Sequence, residues 1–253
     1  MMSRDLRNVT LADERRTRQG LSKLTPLEAR TLVDQVVDAI VEATARGEFL
    51  PGDRIVEAEV ARALNVSRIP VREALRLLES QSVVVSERYR GMRLMSVDIH
   101  GLEKILRVRL ALEQLAGAEA MLRIANGTTD VTLLERILAQ MHAAADAEDS
   151  FGVAKLDTEF HRCLCQLSGN EVLVRSWEPL SRQLTIIFGL ATLRKTLKSI
   201  VAEHDDVVAA LRKGERAEFD CLMEVHILEY TRAVDYEDLV EQLRQIEARR
   251  KAV

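Results

Sequence analysis

The chain lacks any run approaching the roughly 18 uninterrupted apolar residues of a membrane span. Its N-terminus, Met1 to Gly20, is charged and has no apolar signal-type core. These absences lead us to expect a soluble, cytoplasmic protein with no membrane partner. Cysteine is scarce. Cys163, Cys165 and Cys221 form an odd set without CxxC spacing, and read as small buried side chains of a reducing compartment. Positive charge is not in excess either: 36 Lys+Arg against 40 Asp+Glu leave a net charge of −4, which alone suggests no nucleic-acid partner. The distribution is uneven, however, with 16 Lys+Arg against 14 Asp+Glu before residue 96 and 20 against 26 after it. With 253 residues, 47% of them hydrophobic, the chain can build two modest domains.

What is present begins with a helical period. Leu32, Val36, Val37, Ile40 and Val41 recur on one face of a predicted helix from Leu27 to Arg46, started by Thr25-Pro26 and ended by Gly47. A turn at Phe49-Leu50-Pro51-Gly52-Asp53 leads to a short second helix, Glu57 to Leu64. Asn65-Val66 connects tightly to a third, Arg68 to about Gln81, with Ser67 placed as its cap. Pro70 is compatible with that helix because the first turn has no intrahelical acceptor for its nitrogen. Arg68, Arg72 and Arg76 repeat every four residues opposite Val71, Ala74, Leu75 and Leu78. After this helix the period changes. Val83-Val84-Val85 reads as a strand, Arg88-Tyr89-Arg90-Gly91 as a turn and Met92 to Val97 as a returning strand. A short helix, a tight turn, an arginine-striped helix and a two-stranded wing, in that order, point to a winged helix-turn-helix that reads double-stranded DNA. The plainer alternative is a solvated stripe in which the arginines pair with Glu73 and Glu79.

The run Leu50-Pro51-Gly52-Asp53-Arg54-Ile55, followed by Ala61 through Glu79 with its Ser-Arg-Ile-Pro-Val-Arg-Glu-Ala-Leu core, resembles the GntR superfamily of winged-helix repressors, FadR-like subfamily. The resemblance implies that Arg68 and Arg72 contact operator bases or phosphates, that Ser67 binds a phosphate and that Gly91 sits at the wing tip. Arg76 lies on the same stripe. Ala58 stands where the subfamily's type member has a further DNA-contacting arginine, so the operator sequence is not transferable.

Residues beyond about 98 are predicted helical throughout: Ile99 to Arg123, Val131 to Ala147, Val153 to Leu167, Glu171 to about Leu193, Lys195 to Lys213, Glu215 to Val234, and a charged tail from Tyr236. The fold class is therefore mainly α, an N-terminal winged helix-turn-helix plus an antiparallel helical bundle. The divisions are an extension over 1–25, a DNA-binding domain over 26–97, a bundle over 98–235 and a tail over 236–253. Asp157 and His161 lie one turn apart on the stripe of Phe160 and Leu164, His204 on that of Val201 and Val208, and His226 on that of Phe219 and Met223. Each histidine alone reads more readily as a satisfied core residue than as a ligand. Together they make a set suited to zinc, nickel, iron or manganese. His100 and His142 have no such setting. Arg109 and Glu113 share the stripe of Leu106 and Ala116; either they neutralise each other, or Arg109 faces a ligand carboxylate and Glu113 orients it.

Arg107 through Glu113, Asp157-Thr158-Glu159-Phe160-His161, Glu203-His204-Asp205 and Met223-Glu224-Val225-His226 resemble the FCD ligand-binding domain that accompanies many such winged helices. That resemblance implies a divalent metal ion, zinc or nickel, held by Asp157, His161, His204 and His226. It further implies a small organic acid effector on that metal and a homodimer. Two other readings remain at this point: a regulator whose effector is the ion itself, and a metal-dependent hydrolase. The hydrolase lacks a general base beside the cluster of the kind found in His-Glu-x-x-His.

Overall fold

The computed structural model describes residues 31–88, 91–97, 99–229 and 232–251. The expected extension over 1–25, the Thr25-Pro26 helix start and the wing residues Tyr89 and Arg90 lie outside these. Helix α1 (Leu32–Ala45) is followed by strand β1 (Arg54–Ile55), helices α2 (Glu57–Ala63) and α3 (Arg68–Ser80), and strands β2 (Val84–Glu87) and β3 (Gly91–Leu94). The strands pair antiparallel in the order β1-β3-β2, with Val85 and Arg54 both opposite Arg93. The wing thus has a third strand, in the short stretch between the expected turn and the helix from Glu57 that the sequence reading left unassigned. Val36, Val37, Val71, Ala74, Leu75 and Leu78, inward at helical spacing, bury the three helices against one another.

The bundle consists of α4 (Ile99–Ala125), α5 (Thr132–Asp146), α6 (Ser150–Leu167), α7 (Glu171–Trp177), α8 (Ser181–Thr192), α9 (Leu197–Lys213) and α10 (Arg216–Glu224), with a last helix, α11 (Tyr236–Lys251). Two helices expected to be continuous are interrupted. The stretch from Glu171 breaks into α7, a 3₁₀ turn at Glu178–Leu180 and α8. Pro179 falls in that turn, where its ring and missing N–H oppose a continuous α-helix. The stretch from Glu215 leaves α10 through a π-helical turn, Val225–Glu229, that carries His226. Caps hold other boundaries: the Asn170 side chain accepts from the Val172 and Leu173 amides, and Gly214 ends α9 at φ +74°. Cys163 and Cys165 are buried as expected, whereas Cys221 is exposed. Among the described residues, no helix is long and apolar enough to cross a membrane.

The winged helix packs on the bundle of its own chain, chiefly through α1 against α8. The seam is tight at Gly189, where an added Cβ would lie 2.7 Å from the Ala45 carbonyl oxygen and 2.8 Å from its Cα. Beyond this seam, Gln183 donates to the Gln81 carbonyl at 2.7 Å, just past the end of α3. The segment from 236 is more than a charged tail. Tyr236 and Leu239 are buried, and Arg244 donates to the Pro51 carbonyl at 2.8 Å and pairs with Asp53 at 3.1 Å. Since backbone rather than a mobile side chain blocks the space beside Gly189, Gly189→Ala is expected to destabilise the protein by about 1–3 kcal/mol. A urea midpoint equal to wild type would show that the seam is less tight than this.

Candidate metal centre and nucleic-acid interface

The three inward histidines converge. Among the described residues, ring nitrogens of His161, His204 and His226 all lie within 4.8 Å of one another, and all three residues are buried. The outer nitrogens of two of them have partners that dictate the tautomer. His161 Nδ1 lies 2.7 Å from a Glu113 carboxylate oxygen and donates to it; His204 Nδ1 lies 2.8 Å from the Ile200 carbonyl and donates there. In the neutral rings both Nε2 atoms are then lone-pair acceptors facing the interior. His226 Nε2 stands 3.1 Å from His161 Nε2. Asp157 Oδ2 lies 3.2 Å from His204 Nε2 without hydrogen-bond alignment, and Oδ1, 4.0 Å from His161 Nε2, has no partner. Without an ion, a proton between the Nε2 atoms of His161 and His226 and another between His204 and Asp157 would hold the four groups this close, and a divalent cation would take the place of both.

The electrostatics follow from this crowding. Burial pushes the pKa of His161 below its usual value and that of His226 well below it, so both rings are neutral at pH 7. Burial also opposes charge on His204, but the Asp157 carboxylate beside it outweighs this and raises its pKa. Asp157 is lowered in turn: burial pushes it up, and His204 more than reverses the effect.

Glu113 organises the next layer. Its carboxylate accepts from Arg109 Nε at 2.7 Å, Trp177 Nε1 at 2.8 Å and His161 Nδ1 at 2.7 Å, with the residue wholly buried. Burial would raise its pKa, yet Arg109 and His161 outweigh the cost and bring it down to about 2. Of the two readings of Arg109 and Glu113, mutual neutralisation is present, and Glu113 serves His161 and Trp177 as well. Arg109 keeps one group over: its Nη2 is buried without a hydrogen-bond partner, and the guanidinium lies over the Phe188 ring at 4.7 Å. A cavity of about 40 Å³ is lined by Arg109, Asp157, Phe188, His226 and Tyr236, among others.

On the winged helix, Arg68, Arg72 and Arg76 are all exposed along α3. Arg72 pairs with Glu57 of α2 through two hydrogen bonds, at 2.8 and 3.0 Å, rather than with Glu73 or Glu79. Arg76 does pair with Glu73, at 3.0 Å. Ser67 occupies the N-cap position with extended backbone, but its side chain makes no capping hydrogen bond, contrary to the expected cap. Gly91 has φ +81° and opens β3 opposite Glu87, one step inside the wing tip. The sequence reading passed over Ile69, which is 72% exposed beside Arg68, and Trp177 and Tyr236 at the cluster.

A helix-turn-helix with a three-stranded wing, joined to a helical bundle with a polar centre, defines a DNA-binding regulator rather than an enzyme. Comparison with known families specifies it. Residues 32–94 match the gntR family of bacterial regulatory proteins, and residues 104–229 match the FCD domain. The "Probable D-xylose utilization operon transcriptional repressor" of Paenarthrobacter nicotinovorans is 28% identical over 204 residues, 81% of this chain and 89% of that protein. An HTH-type transcriptional regulator in the TAR-I ttuE-ttuC' intergenic region of Agrobacterium vitis is 32% identical over 133 residues, 52% of this chain and 78% of the relative. The solved structure of E. coli McbR/YncC superposes with a TM-score of 0.65 at 20% identity, over 85% of this chain and 99% of that one, and so shares the fold. The chain belongs to the GntR family of transcriptional regulators, with an FCD domain following its DNA-binding domain.

Because the folded pKa of Glu113 is about 2 against an ordinary 4.5, the stability it contributes is fully present above about pH 4.5 and is lost as pH falls toward 2. Glu113→Gln is expected to cost about 3–5 kcal/mol at pH 7, since it leaves the Arg109 charge buried without its counter-ion. Urea unfolding at pH 7 and pH 3 should show the gap between wild type and variant narrowing in acid. A gap independent of pH would exclude an ionised Glu113.

Proposed function

We propose that this regulator is a repressor whose bundle holds a divalent metal ion, zinc or nickel, on Asp157, His161, His204 and His226, and that a small organic acid bound there controls its hold on operator DNA. The observation that carries this is the convergence of three buried imidazoles beside Asp157, with the outer nitrogens of His161 and His204 already engaged by Glu113 and the Ile200 carbonyl. A cation among them would replace the protons that otherwise bridge these groups, and His161 is pre-oriented by a carboxylate as metal-bound histidines commonly are. The ion, when bound, supplies a Lewis-acid anchor for a carboxylate. Arg109, with Nη2 buried and partnerless beside the cavity, supplies a positive donor for the same group.

Arg68, Arg72 and Arg76 are the proposed DNA contacts, with Ser67 and Gly91 positioned for phosphates; Arg72 exchanges Glu57 for DNA on binding. A homodimer fits an exposed apolar stripe on α4, where Val108, Leu115 and Leu122 recur every seven residues at 52%, 45% and 70% exposure. For the acid to act as a switch it must bind one arrangement of the two domains better than the other, and DNA must then shift acid affinity by the same factor.

The metal reading is tested by calorimetric titration of zinc into chelator-stripped protein. Wild type is expected to take up one equivalent, and His204→Ala to lose affinity by more than about 100-fold, beyond the effect typical of an outer-shell partner. Unchanged uptake by the variant would sink the assignment. For the DNA reading, the probe is a duplex selected by the wild type from random sequence. Retardation by two protomers is expected, with the specific shift lost in Arg68→Ala. Wild-type behaviour of the variant would overturn the recognition-helix assignment, and one protomer per shifted duplex would overturn the dimer.

A further inference from the structure

The last helix brings a polar group to the cavity that the metal and Arg109 do not account for. Tyr236 is 4% exposed, lines the cavity with Arg109, Asp157 and His226, and its hydroxyl has no hydrogen-bond partner. Burying a hydroxyl without a partner is costly, so a residue that does so with its oxygen beside a cavity is placed to meet something that enters. Burial also raises the pKa of this phenol, so it is a neutral O–H donor at any physiological pH. Arg109 Nη2 is the second buried donor without a partner at the same cavity. Two such donors, one cationic and one neutral, suit a carboxylate, which accepts at two oxygens and donates at neither.

We infer that Tyr236 is an effector-binding residue, donating its hydroxyl to the acid's carboxylate together with Arg109, and that α11 carries this contact to the winged helix. This rests on the reading of the bundle as an acid-binding site. The position of α11 supports the second half: within the bundle it packs chiefly on α8. The same α11 ties to the winged helix through Arg244, at the Pro51 carbonyl and Asp53. Asp53 in turn holds the Leu50 amide with its carboxylate and the Leu94 amide of β3 with its carbonyl. An acid that seats on Tyr236 thereby bears on the base of the wing.

The test uses the full-length, zinc-loaded protein titrated calorimetrically with acetate, malonate, succinate and citrate. The acid that binds wild type most tightly is then titrated into Tyr236→Phe. Loss of one hydrogen bond to a charged group is expected to weaken binding by about tenfold or more, with zinc affinity unchanged. Without acid, the variant's melting temperature is expected to equal or exceed that of wild type, because the substitution removes a hydroxyl with no partner. Equal acid affinity in the variant overturns the inference, as does a lowered melting temperature without acid, which would mark a structural role. If wild type takes up zinc but none of the four acids, the acid reading of the site fails first, and the role of Tyr236 fails with it.

Discussion

A carboxylate cut off from water is tolerable only where donors replace its hydration, and the centre of this bundle is arranged around one such group. Glu113 receives a guanidinium, an indole N–H and an imidazole N–H from α4, α7 and α6. The remainder of the polar core depends on those three bonds. They fix the tautomer of His161, hence which of its nitrogens faces His226. They also hold Arg109 through Nε, while its Nη2 is left buried without a hydrogen-bond partner. A single buried charge thus decides the orientation of groups on several helices, and packing around Phe160 and Trp177 keeps it dry.

Much of this arrangement was legible in the sequence because it rests on local spacing. Asp157 and His161 share an inward stripe by virtue of being four residues apart, and His204 and His226 interrupt otherwise apolar stripes. The arginine stripe of α3 is legible for the same reason. What could not be read depends on distant pairings. The acceptor for His161 is 48 residues away and the indole on Glu113 is 64 residues away, so that carboxylate looked like a partner for Arg109 alone. Arg72 likewise meets Glu57, 15 residues back on another helix, rather than its neighbours.

Other departures have local causes that pattern reading underweights. A strand of two residues, Arg54 and Ile55, is too short to show alternation and is defined only by pairing with β3. The π-helical turn at His226 adds a residue to a turn without leaving a compositional mark. Tyr236 sits at the head of a segment so rich in charge that its first turn reads as part of a charged tail, although Tyr236, Leu239 and Leu243 pack inward.

The near-contact of Gly189 with Ala45 has a mechanical consequence. Ala45 is the last residue of α1, so this tight contact lies at one end of a rod that packs on both α8 and α3. Fourteen helical residues span about 21 Å. A tilt on the order of ten degrees about the Ala45 end would move the far end of α1 by about 4 Å on that length. On DNA half-sites spaced about 34 Å, a displacement of that size would be a sizeable error of reach, so the missing side chain at Gly189 bears on how closely α1 and α8 can be held.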